Sequence, residues 1–353
     1  MTSPSGLRHV TSHEDARYLP FHAIGVFLPV SQHDIDMFND FFSDEIDSYL
    51  TSTVACCDTC YADFSSHWPG VTFRDLGFQR QSTEISWFLE TSRMREVYSP
   101  AEFSTLVHFI SCPRCETAIT GNFWVFEHRF SDVPKVERAI DELSLLGKRT
   151  PFLLLGHQFA RQVLRTIHAH AETVDRSSLP RSLFRARRVD DLSRLGQSRE
   201  ATETFGPAPM QYVGEGRFNH AGNSVFYVAD ALDTALLEIG TNGTEICVAE
   251  LDLNLPPSLV LDLIELDENL ASFEILNAVA FSALLAAPNT GVGWSKPQYV
   301  FSRFVADCAR SAGFDAIRYG STKDSRGSNY VLLEPPADLV DRAQLLRLHH
   351  LSV

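Results

Sequence analysis

The chain has no apolar run long enough to cross a bilayer. Its longest, Ile275 to Ala287, falls short of the ~20 residues a spanning helix needs and is broken by Asn277 and Ser282. An apolar segment of the secretory type is missing too, since Met1 to Arg17 is polar. Surplus positive charge is also lacking. Lys and Arg number 30 against 45 Asp and Glu, a formal net charge of −15 with a pI near 5.3. That balance argues against an extended nucleic-acid surface or an anionic-membrane surface, although a whole-chain average leaves room for a local basic pocket. No internal repeat or low-complexity tract stands out.

What is present fits a soluble globular protein: 44% hydrophobic and 21% charged residues. At 353 residues the chain is too long for one ordinary core, so two domains are expected. The boundary falls in Arg176-Ser177-Ser178-Leu179-Pro180, which reads as a connector and gives domains 1–178 and 179–353. Seven cysteines, four of them in two Cys-x-x-Cys pairs, fit metal binding in a reducing compartment better than a disulfide framework, so a cytoplasmic location is expected.

Apolar spacing predicts a helix over Asp132–Gly147, with Val136, Ile140, Leu143 and Leu146 on one face. A second helix is predicted from Pro151 to about Val174. Beyond the connector the texture changes. Short strands are predicted at Leu183–Val189, Ser224–Val228, Ile246–Leu251, Ala316–Tyr319 and Tyr330–Leu333. Helices are predicted near Phe273–Leu285 and Tyr299–Ser311, and another after Asp230 as its cap, ended by Gly240. The second half therefore reads as α+β with short strands.

Arg217, Tyr227 and Glu238 stand ten and eleven residues apart on a predicted turn, strand and helix. A guanidinium, a flat aromatic ring and a carboxylate on neighbouring elements suit a ligand that combines phosphates, a ribose and a cationic aromatic ring, which describes NAD⁺. Ala231, Thr234 and Ala235 lie beneath Glu238 on the same helical stripe and would let the helix approach its sheet closely. Taken singly, each residue has a plainer reading: a surface arginine, a core tyrosine, a surface glutamate.

The segment Gly216-Arg217-Phe218-Asn219-His220-Ala221-Gly222, with Tyr227 and Ala235-Leu236-Leu237-Glu238, resembles the RES domain family. Upstream, Leu183-Phe184-Arg185-Ala186 is similar to that family's opening strand. Downstream, Ile317-Arg318-Tyr319-Gly320-Ser321 and Asn329-Tyr330-Val331-Leu332-Leu333 are similar to its closing serine and asparagine segments. The resemblance spans about residues 181–335. It implies an ADP-ribosyltransferase-like split sheet and an NAD⁺-consuming toxin of a bacterial toxin–antitoxin system. It also implies Glu238, Tyr227, Arg217 and Ser321 as catalytic residues, and Arg185, Arg217, Tyr227 and Asn329 as NAD⁺ contacts. Phe218 departs from the family pattern, which has tryptophan there. The stretches Thr322–Ser328 and Asp267–Tyr299 align less readily.

Breaking the nicotinamide–ribose bond builds positive charge on the ribose, which a carboxylate at Glu238 could stabilise. The acceptor stays open: water gives a glycohydrolase, phosphate a phosphorylase, and a protein side chain an ADP-ribosyltransferase. NAD⁺ destruction is favoured because the resemblance is to toxins that deplete it. An antitoxin or regulatory protein and a homo-oligomer are partners in keeping with the resemblance.

Cys57-Asp58-Thr59-Cys60 and Cys112-Pro113-Arg114-Cys115 have knuckle spacing, and two knuckles make a tetrahedral Cys₄ structural zinc site. The fifty-one residues between the pairs require an insertion that leaves and returns. Cys56 is read as a spare thiol. The arrangement resembles a mainly helical N-terminal domain often joined to RES domains, which implies a sensing, inhibitory or partner-binding module. A rival reading comes from Arg161-Gln162-Val163-Leu164-Arg165-Thr166-Ile167-His168, whose arginine and histidine are spaced as in HEPN ribonucleases. A solvated helix face explains the same residues. The remaining alternative is a RES-like domain that binds nucleotide without turning it over.

Overall fold

A computed structural model describes residues 29–50, 54–75, 78, 82–119, 121–126, 130, 133–240, 245–287 and 296–352. The N-terminal region pairs the Gln32–Leu50 helix with a small antiparallel sheet of β1 (Val54–Cys57), β2 (Thr83–Glu84) and β3 (Asn122–Phe126), ordered β1-β3-β2. Aromatic residues fill the space between them. Phe42 meets the edges and faces of Phe88 and Phe123, while Trp68 stacks on Phe130. Helices Asp58–His67 and Pro69–Arg74 follow β1, the second with its proline at the first helical position.

The helix expected over 132–147 is Val133–Arg149, with Val136, Ile140 and Leu143 buried and Lys148 and Arg149 favourably placed in its last turn. Asp132, read as its start, lies outside the described residues. The single helix expected from Pro151 is two pieces, a 3₁₀ segment Pro151–Gly156 and an α-helix Gln158–Ala171. His157 separates them. Its backbone is extended and its Nδ1 accepts from Phe159 N at 3.2 Å, so it caps a new helix instead of continuing the old one.

Residues from 183 onward build one seven-stranded sheet from β4 (Leu183–Arg188), β5 (Phe226–Ala229), β6 (Glu245–Asp252), β7 (Val260–Asp262), β8 (Ala316–Gly320), β9 (Ser328–Leu332) and β10 (Gln344–Ser352). The order is β10-β6-β4-β5-β9-β8-β7. Only β7 and β8 run parallel; the other neighbours are antiparallel. β4 pairs with β6 along its length but meets β5 at the single register pair Phe184↔Ala229. The sheet thus divides into halves β10-β6-β4 and β5-β9-β8-β7 that part next to that contact. The uninterrupted apolar run in β6 has a physical cause. Cys247 and Ala249 pack with Leu183 and Leu251 on one face, and Ile246 and Val248 pack with Ala235 on the other, so both faces are buried.

Two further expectations need correction. The helix predicted near Phe273–Leu285 is Phe273–Phe281 and Ala283–Ala286, broken at buried Ser282, whose hydroxyl donates to Val279 O at 3.2 Å. Asp230 does not cap the Leu232–Ile239 helix. Ala231 occupies that place, and the Asp230 carboxylate accepts from Ser328 N at 3.0 Å and Ser328 Oγ at 2.5 Å. Helices Phe273–Phe281 and Val300–Ser311 pack against Gln158–Ala171, and Val300–Ser311 also against Val133–Arg149. One hydrophobic core accordingly runs from Phe38 through Ile167 to Val305 and Leu333. Among the described residues no helix is long and apolar enough to cross a membrane.

Candidate active site

Where β4 and β5 part, a cavity of about 420 Å³ is lined by Arg185 from β4, Tyr227 from β5, Asn329 from β9, and Arg217 and Glu238. Glu238 sits in the last turn of the Leu232–Ile239 helix, which Gly240 ends at φ 77°, a backbone that a side chain would strain. Ala235 and buried Thr234 bring that helix close to the sheet, in keeping with the small residues read from the sequence. Glu238 Oε1 accepts from Ser321 Oγ at 2.7 Å and from Asn329 Nδ2 at 2.8 Å. Its backbone carbonyl accepts from Lys323 Nζ at 2.7 Å. No described residue donates to Oε2.

Ser321 is 1% exposed and reaches the cavity only through Glu238. Its hydroxyl oxygen accepts from Lys323 N and Asp324 N, both at 3.0 Å. Those amides occupy the oxygen's lone pairs, so the hydroxyl proton is directed at the carboxylate. Tyr227 donates to Asn219 Oδ1 at 3.0 Å and accepts from Phe218 N at 2.9 Å. Burial pushes its phenol up to about 12, so the hydroxyl stays protonated and the ring remains as a wall. A Cβ at Gly216 would lie 2.1 Å from Asn219 Oδ1 and 3.0 Å from the Tyr227 hydroxyl, so this turn requires glycine.

The arginines bind backbone. Arg217 donates to Leu285 O, to Ala287 O at 3.1 Å and to Thr322 Oγ1 at 3.3 Å, and its guanidinium lies 4.7 Å from the Tyr299 ring centroid. Arg185, 8% exposed, donates to Tyr227 O and to Gly206 O at 3.3 Å, and its buried Nε has no hydrogen-bond partner among the described residues. Burial, and then neighbouring Arg187, push its pKa well below the ordinary arginine value. Arg187 donates to Thr204 O at 3.2 Å and Gly206 O at 3.0 Å. Among the described residues, no carboxylate pairs with any of these three arginines. Among the described residues, the cavity is thus lined by three guanidiniums that make no ion pair, by Lys323 and by one oriented carboxylate, Glu238.

All six residues singled out for this site converge on it, five as lining and Ser321 from behind. Thr322, Lys323, Arg187 and Tyr299 also line the cavity but were not read from the sequence. The signal that could have found the first two is the Ser321-Thr322-Lys323-Asp324 turn, in which a serine accepts amides two and three residues on.

A second cluster lies in the N-terminal region. The sulfurs of Cys57, Cys60, Cys112 and Cys115 lie within 4.8 Å of one another. Four thiolates around zinc at about 2.3 Å place their sulfurs about 3.8 Å apart, and Cys57 Sγ and Cys115 Sγ are 3.7 Å apart. Cys112 Sγ accepts from Cys57 N at 3.3 Å and Arg114 N at 3.4 Å. The Thr117 hydroxyl and amide lower the Cys115 thiol to about 6, which favours the thiolate a metal needs. The donor set fits zinc. Cys56, next along β1, is buried outside the group.

Arg161 and His168, the pair behind the ribonuclease alternative, have structural partners. Arg161 Nη1 donates to Leu155 O and Gly156 O, both at 2.8 Å, and His168 Nε2 lies 3.1 Å from Ser311 Oγ.

Comparison with known proteins gives two findings. Residues 183–350 match the RES domain family. Among solved structures, the chain is similar to one in the crystal structure of the M. tuberculosis MbcT–MbcA toxin–antitoxin complex, with 12% identity, a TM-score of 0.35, and coverage of 54% of this chain and 92% of that one. No curated protein matches. The region that forms the split sheet and its cavity, residues 183–350, thus belongs to the RES domain family.

Proposed function

We propose that this protein is an NAD⁺-consuming, toxin-like enzyme that cleaves the nicotinamide–ribose bond, as a glycohydrolase or phosphorylase. The observation that carries this reading is Glu238. Two donors hold its Oε1, leaving Oε2 free toward a cavity rich in unpaired guanidinium charge. Nicotinamide leaves as a neutral molecule, so the ribose becomes positive while the pyrophosphate remains negative. A fixed carboxylate stabilises the first and the arginines that line the cavity attract the second. The Tyr227 ring restricts the nicotinamide or the ribose before bond cleavage.

The four-cysteine cluster supports a structural zinc in an N-terminal regulatory domain, with catalysis in residues 179–353. A cytoplasmic location and an antitoxin or other regulatory partner complete the reading. Incubation with NAD⁺, with and without phosphate, followed by chromatography, separates the chemistries. ADP-ribose identifies hydrolysis, ADP-ribose phosphate identifies phosphorolysis, and modified protein identifies ADP-ribosyl transfer. Glu238→Gln should lower kcat by about 10²–10³ with little change in KM. Wild-type turnover in that variant removes Glu238 from the mechanism.

A further inference from the structure

Arg74 ends the Pro69–Arg74 helix of the N-terminal region, yet its guanidinium lies on the loop that holds Glu238. Nη1 donates to Ser321 O at 3.3 Å and to Gly327 O at 3.0 Å. Those carbonyls mark the two ends of the loop, which are also joined by Ser321 N donating to Gly327 O at 3.1 Å. The sequence makes room for the clamp at Gly320. A Cβ there would lie 2.0 Å from Arg74 Nη1. On the adjoining side lies a cavity of about 530 Å³, lined in part by Phe73, Leu263, Phe281 and Ser321. Within the loop, Asp324 accepts from Thr234 Oγ1 at 2.7 Å, which ties it to the helix carrying Glu238.

Resting on the assignment of NAD⁺ cleavage to Glu238, we infer that Arg74 is a positioning residue for that reaction. The N-terminal region closes the Ser321–Gly327 loop through Arg74 and so aims the Ser321 hydroxyl at Glu238 Oε1. The catalytic unit then extends beyond residues 183–350, and whatever moves the Pro69–Arg74 helix changes the orientation of the carboxylate.

The test uses full-length protein carrying Arg74→Ala, Arg74→Lys, Gly320→Ala, or Arg74→Ala with Gly320→Ala. kcat and KM for NAD⁺ are measured alongside hydrogen exchange of the 321–328 amides. Arg74→Ala should lower kcat about 10–100-fold, with KM changed less than about threefold, and should speed exchange at Lys323 and Asp324. Arg74→Lys should recover part of the loss, because an ammonium can still donate to both carbonyls. Gly320→Ala should reproduce the defect without removing the charge, yet add little to Arg74→Ala, where the crowded guanidinium is gone. Unchanged kcat and exchange in Arg74→Ala, or losses that simply add in the double variant, would overturn the clamp. If the unmutated protein leaves NAD⁺ intact, the NAD⁺ assignment fails on its own, and the exchange rates alone decide whether Arg74 holds the loop.

Discussion

At the scale of single residues, the site depends on hydrogen bonds from groups outside the cavity lining, Ser321 and Phe218 N, that orient Glu238 and Tyr227 within it. The Tyr227 hydroxyl joins Phe218 N to Asn219 Oδ1 and thereby fastens the Gly216–Asn219 turn to β5. Tyr227→Phe keeps the ring in the cavity wall but leaves an amide and a side-chain carbonyl without that partner. The expected cost is about 1–3 kcal/mol of stability, read as a lower urea midpoint at unchanged slope, with KM for NAD⁺ within about twofold of wild type. A large rise in KM at unchanged stability would mean that the hydroxyl touches substrate, contrary to the geometry. The sequence made Arg217, Tyr227 and Glu238 legible because their residue types and order are distinctive. Their partners were not, because a guanidinium bound to Leu285 O and Ala287 O depends on backbone carbonyls that every residue has. Asn329 shows the same limit: it was read as a nucleotide contact, and the structure adds a hydrogen bond from its amide to Glu238.

At the scale of elements, strong periodicity translated directly into structure. Val133–Arg149 and Val300–Ser311 follow their apolar stripes, and the β6 run is buried on both faces as its composition suggested. The breaks at His157 and Ser282 were hidden because each depends on one side chain bonding to backbone, a small local term that leaves the apolar pattern intact. The cysteine knuckles act between elements. Cys57 ends β1, Cys60 lies in the first turn of Asp58–His67, and Cys112 and Cys115 bracket a turn preceding β3. A metal there ties elements that are distant in the chain, so its binding energy becomes folding energy. The purified protein should carry one zinc by elemental analysis. Cys112→Ser or a strong chelator should lower the melting temperature and the helical circular dichroism, whereas Cys56→Ser should leave the metal content unchanged. Retained N-terminal helicity after complete zinc loss would count against a structural metal.

At the scale of the whole molecule, the sequence boundary at 178/179 and the core of the fold follow different lines. The Gln158–Ala171 helix precedes the connector but packs on Val300–Ser311, which belongs to the RES region, and Val133–Arg149 packs there as well. Val305, Ala306 and Ala309 are fully buried in the intact chain, within the core that also contains Val163 and Ile167. A fragment beginning at Leu179 would lose the helices that adjoin this surface and the Arg74 clamp with them. The apolar area newly exposed, at about 25 cal/mol per Å², weighs heavily against a total stability of about 5–15 kcal/mol. The fragment should therefore aggregate or bind a hydrophobic dye when expressed alone, while one beginning near Val133 should be more soluble but still impaired in NAD⁺ turnover for want of Arg74. Light scattering and dye fluorescence decide the first point, and kcat decides the second. A monomeric, fully active 179–353 fragment would show that the N-terminal region is an independent appendage, and would remove both the shared core and the clamp as requirements for catalysis.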